Sequence, residues 1–257
     1  MKLDFFKMQA QGNDYIYFDF QKTLVPDLDF SQLSRKLSNR RFNIGSDGIV
    51  LIESSTEADA KMRIFNSDGS EGKMCGSALQ SVIYYLSLKS DQIDFKIDTA
   101  SGIKTGKVKP NSTTVEVCLG KPVLLENAIV KGFNGSLIDI GNPHFVIYEK
   151  NLDIINTEIT GKDIESDTKF PDGVNIEFVE IISPKEVKMK IWERGSGVTL
   201  SCGTGSCAAV YAGIVNEHLE KTVKLHSPGG NVIIGYDGSN IFLTGEVEFV
   251  FSGVVEV

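Results

Sequence analysis

The 257 residues carry 26 Lys and Arg against 34 Asp and Glu, a net charge of −8, with 41% hydrophobic and 23% charged residues. That balance fits a folded chain of one large or two small domains, excludes disorder, and, with no basic stripe, argues against nucleic acid or anionic membrane as a partner. Charges within residues 1–7 argue against a signal peptide, and no apolar run is long enough to span a bilayer, so the expectation is a cytoplasmic protein.

In chain order, runs rich in β-branched and aromatic residues predict strands over 16–20, 49–52, 61–65, 95–97, 114–119, 145–148, 176–182, 187–192, 223–225 and 241–251. A helix is expected over 31–40, with Ser31 as its N-cap. Two more, over 77–86 and 204–214, are apolar nearly all round, as buried helices are. Each follows a Cys-Gly dipeptide, with Ser77 and Thr204 as the expected caps.

The chain also repeats itself once. Met62, Cys75, Gly76 and Tyr84 recur as Met189, Cys202, Gly203 and Tyr211, all at a spacing of 127 residues. Gly12-Asn13 recurs as Gly141-Asn142 at a spacing of 129, and a weaker echo joins Asp47-Gly48 to Asp172-Gly173. Two degenerate copies of one unit account for these matches. The expected fold is therefore α+β: two pseudo-symmetric, strand-rich domains, each a mixed or antiparallel sheet wrapped around a central helix. The expected domains are residues 1–119 and 120–257, and the last strand, about 247–257, is a candidate to return to the first.

Four cysteines, Cys75, Cys118, Cys202 and Cys207, occur without a CxxC pair, which makes a disulfide framework a poor reading. Cys118 and Cys207 lie inside a predicted strand and a predicted buried helix and are read as core. Cys75 and Cys202 stand at equivalent helix starts. Free N–H groups and the partial positive charge at such an end bind a carboxylate and lower a neighbouring thiol's pKa. Gly76 and Gly203 let the backbone approach a bound group. Two such ends facing one another across a cleft would place a small α-amino acid with a thiol on either face of Cα. One thiolate then removes the α-proton while the other thiol delivers one to the opposite face, which is what stereoinversion requires.

The residues Gly12-Asn13-Asp14, the run from Arg40 to Gly45, Phe65-Asn66-Ser67-Asp68-Gly69, Met74-Cys75-Gly76, Gly141-Asn142-Pro143-His144, Val174-Asn175-Ile176-Glu177, Trp192-Glu193-Arg194-Gly195, Cys202-Gly203-Thr204-Gly205 and Ser227-Pro228-Gly229-Gly230 together resemble the diaminopimelate epimerase family, over essentially the whole chain. The resemblance implies two pseudo-symmetric halves, no cofactor, no metal, a homodimer, and interconversion of LL- and meso-diaminopimelate on the route to lysine and peptidoglycan. It implies Cys75 and Cys202 as the catalytic thiols, and Gly76, Ser77, Gly203 and Thr204 as backbone donors to the carboxylate at the reacting centre. It further implies Asn13 as a substrate contact, Asn66, Asn142, Asn175, Glu193 and Arg194 as contacts to the distal amino-acid head, and His144 and Glu193 as groups tuning the thiols. The chain departs from the usual family pattern in three places: Ser77 stands where Asn is common, Gly48 where Gln is often found, and Met8-Gln9-Ala10-Gln11 where a run of the His-Gly-Leu type usually precedes the Gly-Asn-Asp block.

Other readings stay open on the residues alone. A related two-thiol enzyme could act on lanthionine, histidine or a proline derivative; Arg194 and the asparagines favour a substrate with a second amino-acid head. A zinc or thiol redox protein would need converging ligands that the spacing of Cys202 and Cys207 does not supply. A non-catalytic amino-acid-binding protein would not require both thiols.

Overall fold

Charged and apolar residues alternate through Lys2–Ala10, and that segment is the first strand, β1, of a computed structural model that describes residues 1–257. In chain order there follow β2 (Asn13–Asp19), α1 (Phe30–Leu37), β3 (Gly48–Glu53), β4 (Ala60–Asn66), β5 (Glu71–Gly72), α2 (Gly76–Ser87), β6 (Asp94–Asp98), β7 (Lys104–Val108) and β8 (Thr114–Gly120). The second half of the chain supplies β9 (Val123–Val130), β10 (Phe133–Asp139), β11 (Pro143–Tyr148), α3 (Thr157–Glu165), β12 (Asn175–Ser183), β13 (Glu186–Glu193), β14 (Gly197–Thr199), α4 (Gly203–Val215), β15 (Thr222–Ser227), β16 (Gly230–Tyr236), β17 (Ile241–Glu246) and β18 (Glu248–Glu256). Two compact units result, one of Met1–Val117 with Gly245–Val257, the other of Cys118–Thr244. The boundary thus lies two residues before the expected 119/120, and the segment from Gly245 groups with the first unit. No helix is long and apolar enough to cross a membrane.

The two units pair their strands in the same order. In the first, β18 is antiparallel to β1, β1 to β2, and β3 to β4, while β2–β3 and β4–β6 are parallel. In the second, β9 is antiparallel to β10, β10 to β11, and β12 to β13, while β11–β12 and β13–β15 are parallel. Register makes the equivalence residue-specific: Tyr15 lies opposite Gly48 as His144 lies opposite Asn175. Gly48 therefore corresponds to Asn175, at the 127-residue spacing of the thiols, and the echo with Gly173 was displaced by two residues.

The central parallel strands are buried on both faces, which is why they read as continuous apolar runs. Period-two alternation sorts their side chains. Ile16, Phe18, Ile49 and Leu51 pack with Phe30, Leu33 and Leu37 of α1; Phe145, Ile147, Ile176 and Phe178 pack with Ile164 of α3. The intervening residues, Tyr15, Tyr17, Gly48 and Val50 in one unit and His144, Asn175 and Glu177 in the other, take the opposite face.

Four expectations are corrected. Helix α1 begins at Phe30, because the Asp29 carboxylate accepts from the Gln32 N–H at 2.9 Å; Ser31 instead donates to the Gly69 carbonyl. Helices α2 and α4 begin at the glycines, so that Cys75 and Cys202 are themselves the N-caps and Ser77 and Thr204 sit in the first turn. The expected strand over 241–251 breaks at Val247, whose N–H leaves the ladder for the Thr113 carbonyl at 3.0 Å. Helix α3 has no counterpart among the expected helices: Thr, Ile and Gly are weak helix formers. Its start is capped by the Asn156 side chain at 3.1 Å, and Gly161 brings it onto the Trp192 ring, where a Cβ would lie 2.5 Å from Trp192 Cγ.

Candidate active site

In the first unit, β2 begins at Asn13, whose amide donates to the Cys75 sulfur across 3.7 Å. The next residue holds that strand end in place. Asp14 accepts from Arg40 Nη1 at 3.1 Å and from Lys7 Nζ at 2.6 Å, while its own N–H donates to Asp47 Oδ2 at 3.0 Å. Burial pushes the Asp14 carboxyl up, but the bonds to Arg40 and Lys7 outweigh it and leave it below its ordinary range. A depressed folded pKa contributes stability above the unfolded value of about 4, lost as pH falls through the folded one. The Asp14→Asn variant is therefore expected to be less stable by about 1–3 kcal/mol near neutrality, a gap that narrows toward pH 3 in urea unfolding.

Cys75 has extended backbone and caps α2; Gly76 and Ser77 follow it and are buried. Tyr15, on the face of β2 opposite to α1, is 5% exposed. Asn66, the last residue of β4, lies opposite Gly48 and donates its amide to Ser70 Oγ at 3.0 Å.

In the second unit the expected residues form a connected set. The Asn142 amide oxygen lies 3.1 Å from His144 Nε2, and the other ring nitrogen, Nδ1, lies 2.7 Å from Glu177 Oε1. Asn175, beside His144 in the parallel register, donates to the Pro143 carbonyl at 3.0 Å and accepts the Arg194 N–H at 3.1 Å. The Arg194 guanidinium donates to the Asp172 carbonyl at 2.9 Å. Glu193 accepts from the Thr199 hydroxyl. The Cys202 sulfur accepts the Gly205 N–H at 3.4 Å and lies 3.4 Å from Thr204 Oγ1.

These surroundings reverse one expectation. A helix N-terminus favours a thiolate, and Gly205 and Thr204 do supply donors. Burial, then the Glu193 and Glu177 carboxylates, push the Cys202 thiol well above its ordinary range. Glu193 is itself pushed up, chiefly by burial. These surroundings favour the protonated thiol at Cys202.

Glu177 and Thr199 were not among the expected site residues. Glu177 is fully buried, and its Oε2 has no partner. A carboxylate between Ile176 and Phe178 in a strand expected to be buried was the available signal. Gly205 meets it: a Cβ there would lie 2.4 Å from Glu177 Oε1, so only glycine lets the first turn of α4 approach the carboxylate.

The whole chain resembles solved structures of low sequence identity. A phenazine biosynthesis protein of the PhzF family from Bacillus anthracis superposes with a TM-score of 0.77 at 16% identity, covering 100% of both chains. A hydroxyproline epimerase from Agrobacterium vitis gives 0.70 at 13% identity, covering 99% of this chain and 91% of that one. The class defined here is thus a fold, the duplicated strand-rich architecture that these proteins share. Sequence narrows it. The family model described as diaminopimelate epimerase matches residues 5–125 and 136–250. The diaminopimelate epimerases of Halothermothrix orenii and Carboxydothermus hydrogenoformans are 38% and 40% identical, over at least 98% of either chain in each comparison. The chain belongs to the diaminopimelate epimerase family, whose members are isomerases.

Proposed function

We propose that this chain interconverts LL- and meso-2,6-diaminopimelate by proton transfer at Cα, with Cys75 and Cys202 as its two acid–base groups and no cofactor, in bacterial lysine and peptidoglycan synthesis. The observation that carries the reading is that the two thiols occupy one position of the repeat, each as the N-cap of a buried helix.

Inversion requires a proton to leave one face of Cα and another to reach the opposite face, and two groups accomplish this without either moving. In one direction a Cys75 thiolate removes the α-proton and the Cys202 thiol delivers its own; the roles exchange in the reverse direction. The charge that develops on the substrate carboxylate is met by N–H groups in the first turns of α2 and α4, from Gly76, Ser77, Gly203 and Thr204. For Cys202 to act as base, the charge on Glu193 and Glu177 must be offset, and a substrate ammonium beside Glu193 does so. Asn13, Asn66, Asn142, Asn175 and Arg194 serve recognition, the guanidinium supplying a forked donor pair to the distal carboxylate. His144, hydrogen-bonded to Asn142 and Glu177, holds the Cys202 half in its geometry.

The test is α-proton exchange in deuterated water, without added cofactor, over LL- and meso-diaminopimelate, lanthionine, histidine and hydroxyproline. Exchange and inversion are expected with the two diaminopimelates. Exchange with a one-headed amino acid alone would overturn the substrate assignment, and preferred turnover of lanthionine would replace it.

A further inference from the structure

We propose that Arg40 is the positioning residue of the Cys75 half-site: its guanidinium clamps Asp14 and Asp47, and through them fixes the strand end that carries the Asn13 amide to the Cys75 sulfur. The proposal deepens the reading of Asn13 and Cys75 as site residues, and rests on that reading for its consequence in catalysis.

The two units fasten equivalent strand ends by different means. In the second, the Asn175 side chain at the start of β12 donates to the Pro143 carbonyl at the start of β11, at 3.0 Å. The equivalent of Asn175 is Gly48, which has no side chain to do this; a Cβ there would lie 2.2 Å from the Phe65 carbonyl oxygen. By the same register Asp14 stands in place of Pro143, and Asp47 in place of Val174. The tie is made from these two residues instead. The Asp14 N–H donates to Asp47 Oδ2 at 3.0 Å, and the Asp47 N–H donates to the Asp14 carbonyl at 2.8 Å. The Asp47 carbonyl accepts the Ser67 N–H at 2.9 Å, which brings in the end of β4 beside Asn66.

That tie gathers two carboxylates at one place, and Arg40 spans them. Its Nη1 donates to Asp14 Oδ2 at 3.1 Å, while Nη2 donates to Asp14 Oδ1 at 2.5 Å and to Asp47 Oδ1 at 2.9 Å. Lys7 Nζ adds bonds to Asp14 and to the Gly45 carbonyl, each at 2.6 Å. Gly45 folds the segment after α1 back over Arg40: its φ is +77°, and a Cβ there would lie 2.7 Å from Arg40 Cα. An exposed arginine on a single carboxylate contributes little. The Arg40 side chain is 55% exposed, but it grips both oxygens of Asp14, whose side chain is 13% exposed, and reaches a second carboxylate besides. One residue before Asp14, the Asn13 amide donates to the Cys75 sulfur at 3.7 Å. The clamp therefore acts on the residue next to the one that meets the thiol.

The experiment is the rate of alkylation by iodoacetamide at Cys75 and at Cys202, read by peptide mass mapping at one fixed pH. The proteins compared are wild type, Arg40→Gln, Arg40→Lys, Asn13→Ala and the Arg40→Gln, Asn13→Ala double variant. Cys75 is partly exposed, and Cys202, in the other unit, is the control. Loss of the Asn13 donor is expected to slow Cys75 alkylation by roughly 10-fold, the size of one hydrogen bond to a charged acceptor. Arg40→Gln is expected to slow it as much, with Cys202 unmoved. The double variant should be no slower than Asn13→Ala alone, because the clamp works through that amide. Arg40→Lys keeps the charge without the fork and is expected to follow Arg40→Gln. An unchanged Cys75 rate in Arg40→Gln would overturn the proposal, as would a double variant slower than Asn13→Ala. A wild-type rate in Arg40→Lys would mean that charge alone suffices, and equal changes at Cys75 and Cys202 would mark a general loss of structure; either result overturns it. None of these readouts uses turnover, so failure of the clamp is distinguishable from failure of the epimerase assignment, which proton exchange by the wild-type protein tests.

Discussion

Replacing either thiol by alanine is expected to abolish inversion in both directions, lowering the rate by roughly 10²- to 10⁴-fold or more, the range over which positioned acid–base groups act. The isotope pattern is more telling than the rate. With Cys75→Ala, the remaining thiol can still remove and return a proton on its own face. One stereoisomer of diaminopimelate should then exchange its α-proton slowly without inverting, and Cys202→Ala should show the same behaviour with the other stereoisomer. Chiral chromatography of the products, combined with mass spectrometry for deuterium, separates exchange from inversion. Undiminished inversion in either variant would exclude the two-thiol mechanism.

Replacing His144 is expected to have the largest effect on stability. His144 and Glu177 are both fully buried and lie 2.7 Å apart. Both ring nitrogens are directed at oxygen atoms, Nδ1 at Glu177 Oε1 and Nε2 at the Asn142 amide oxygen. Removing the imidazole leaves a carboxylate in an apolar interior, a change that costs about 3–5 kcal/mol. Urea unfolding of His144→Leu should show that loss near pH 7. A His144→Leu, Glu177→Leu double variant should be less destabilised than His144→Leu alone, since no buried charge remains. Additive losses would mean that the pair is not coupled.

The two half-sites are unlike in a way that matters for chemistry. Cys75 is met by the Asn13 amide, a donor, whereas burial and the Glu193 and Glu177 carboxylates push the Cys202 thiol well above its ordinary range. The duplicated scaffold therefore supplies symmetry of position without symmetry of charge.

Much of this was legible in the chain itself. The spacing of 127 residues between Cys75 and Cys202, repeated by Met62 and Met189, located the duplication and the two thiols, because a repeat leaves its trace wherever one residue type is required twice. The apolar helices after each Cys-Gly were equally plain, since a helix buried on all sides admits no polar stripe. What escaped were elements whose stability is not local. Strand β1 carries charges on its exposed positions, and α3 depends on Asn156 and on the Trp192 ring rather than on helix propensity. The N-caps were misplaced by two residues because Ser and Thr are better caps than Cys in general; here the thiols take that position and the glycines open each helix.

The sequence by itself determined the duplication, the pair of thiols and the family, since these depend only on residue identity and spacing. Only the tertiary structure decided what surrounds each sulfur. Asn13 reaches the Cys75 sulfur, and Glu177 reaches His144 and the first turn of α4, through contacts between residues far apart in the chain. Burial, which no spacing encodes, then sets the Cys202 thiol high despite its place at a helix start.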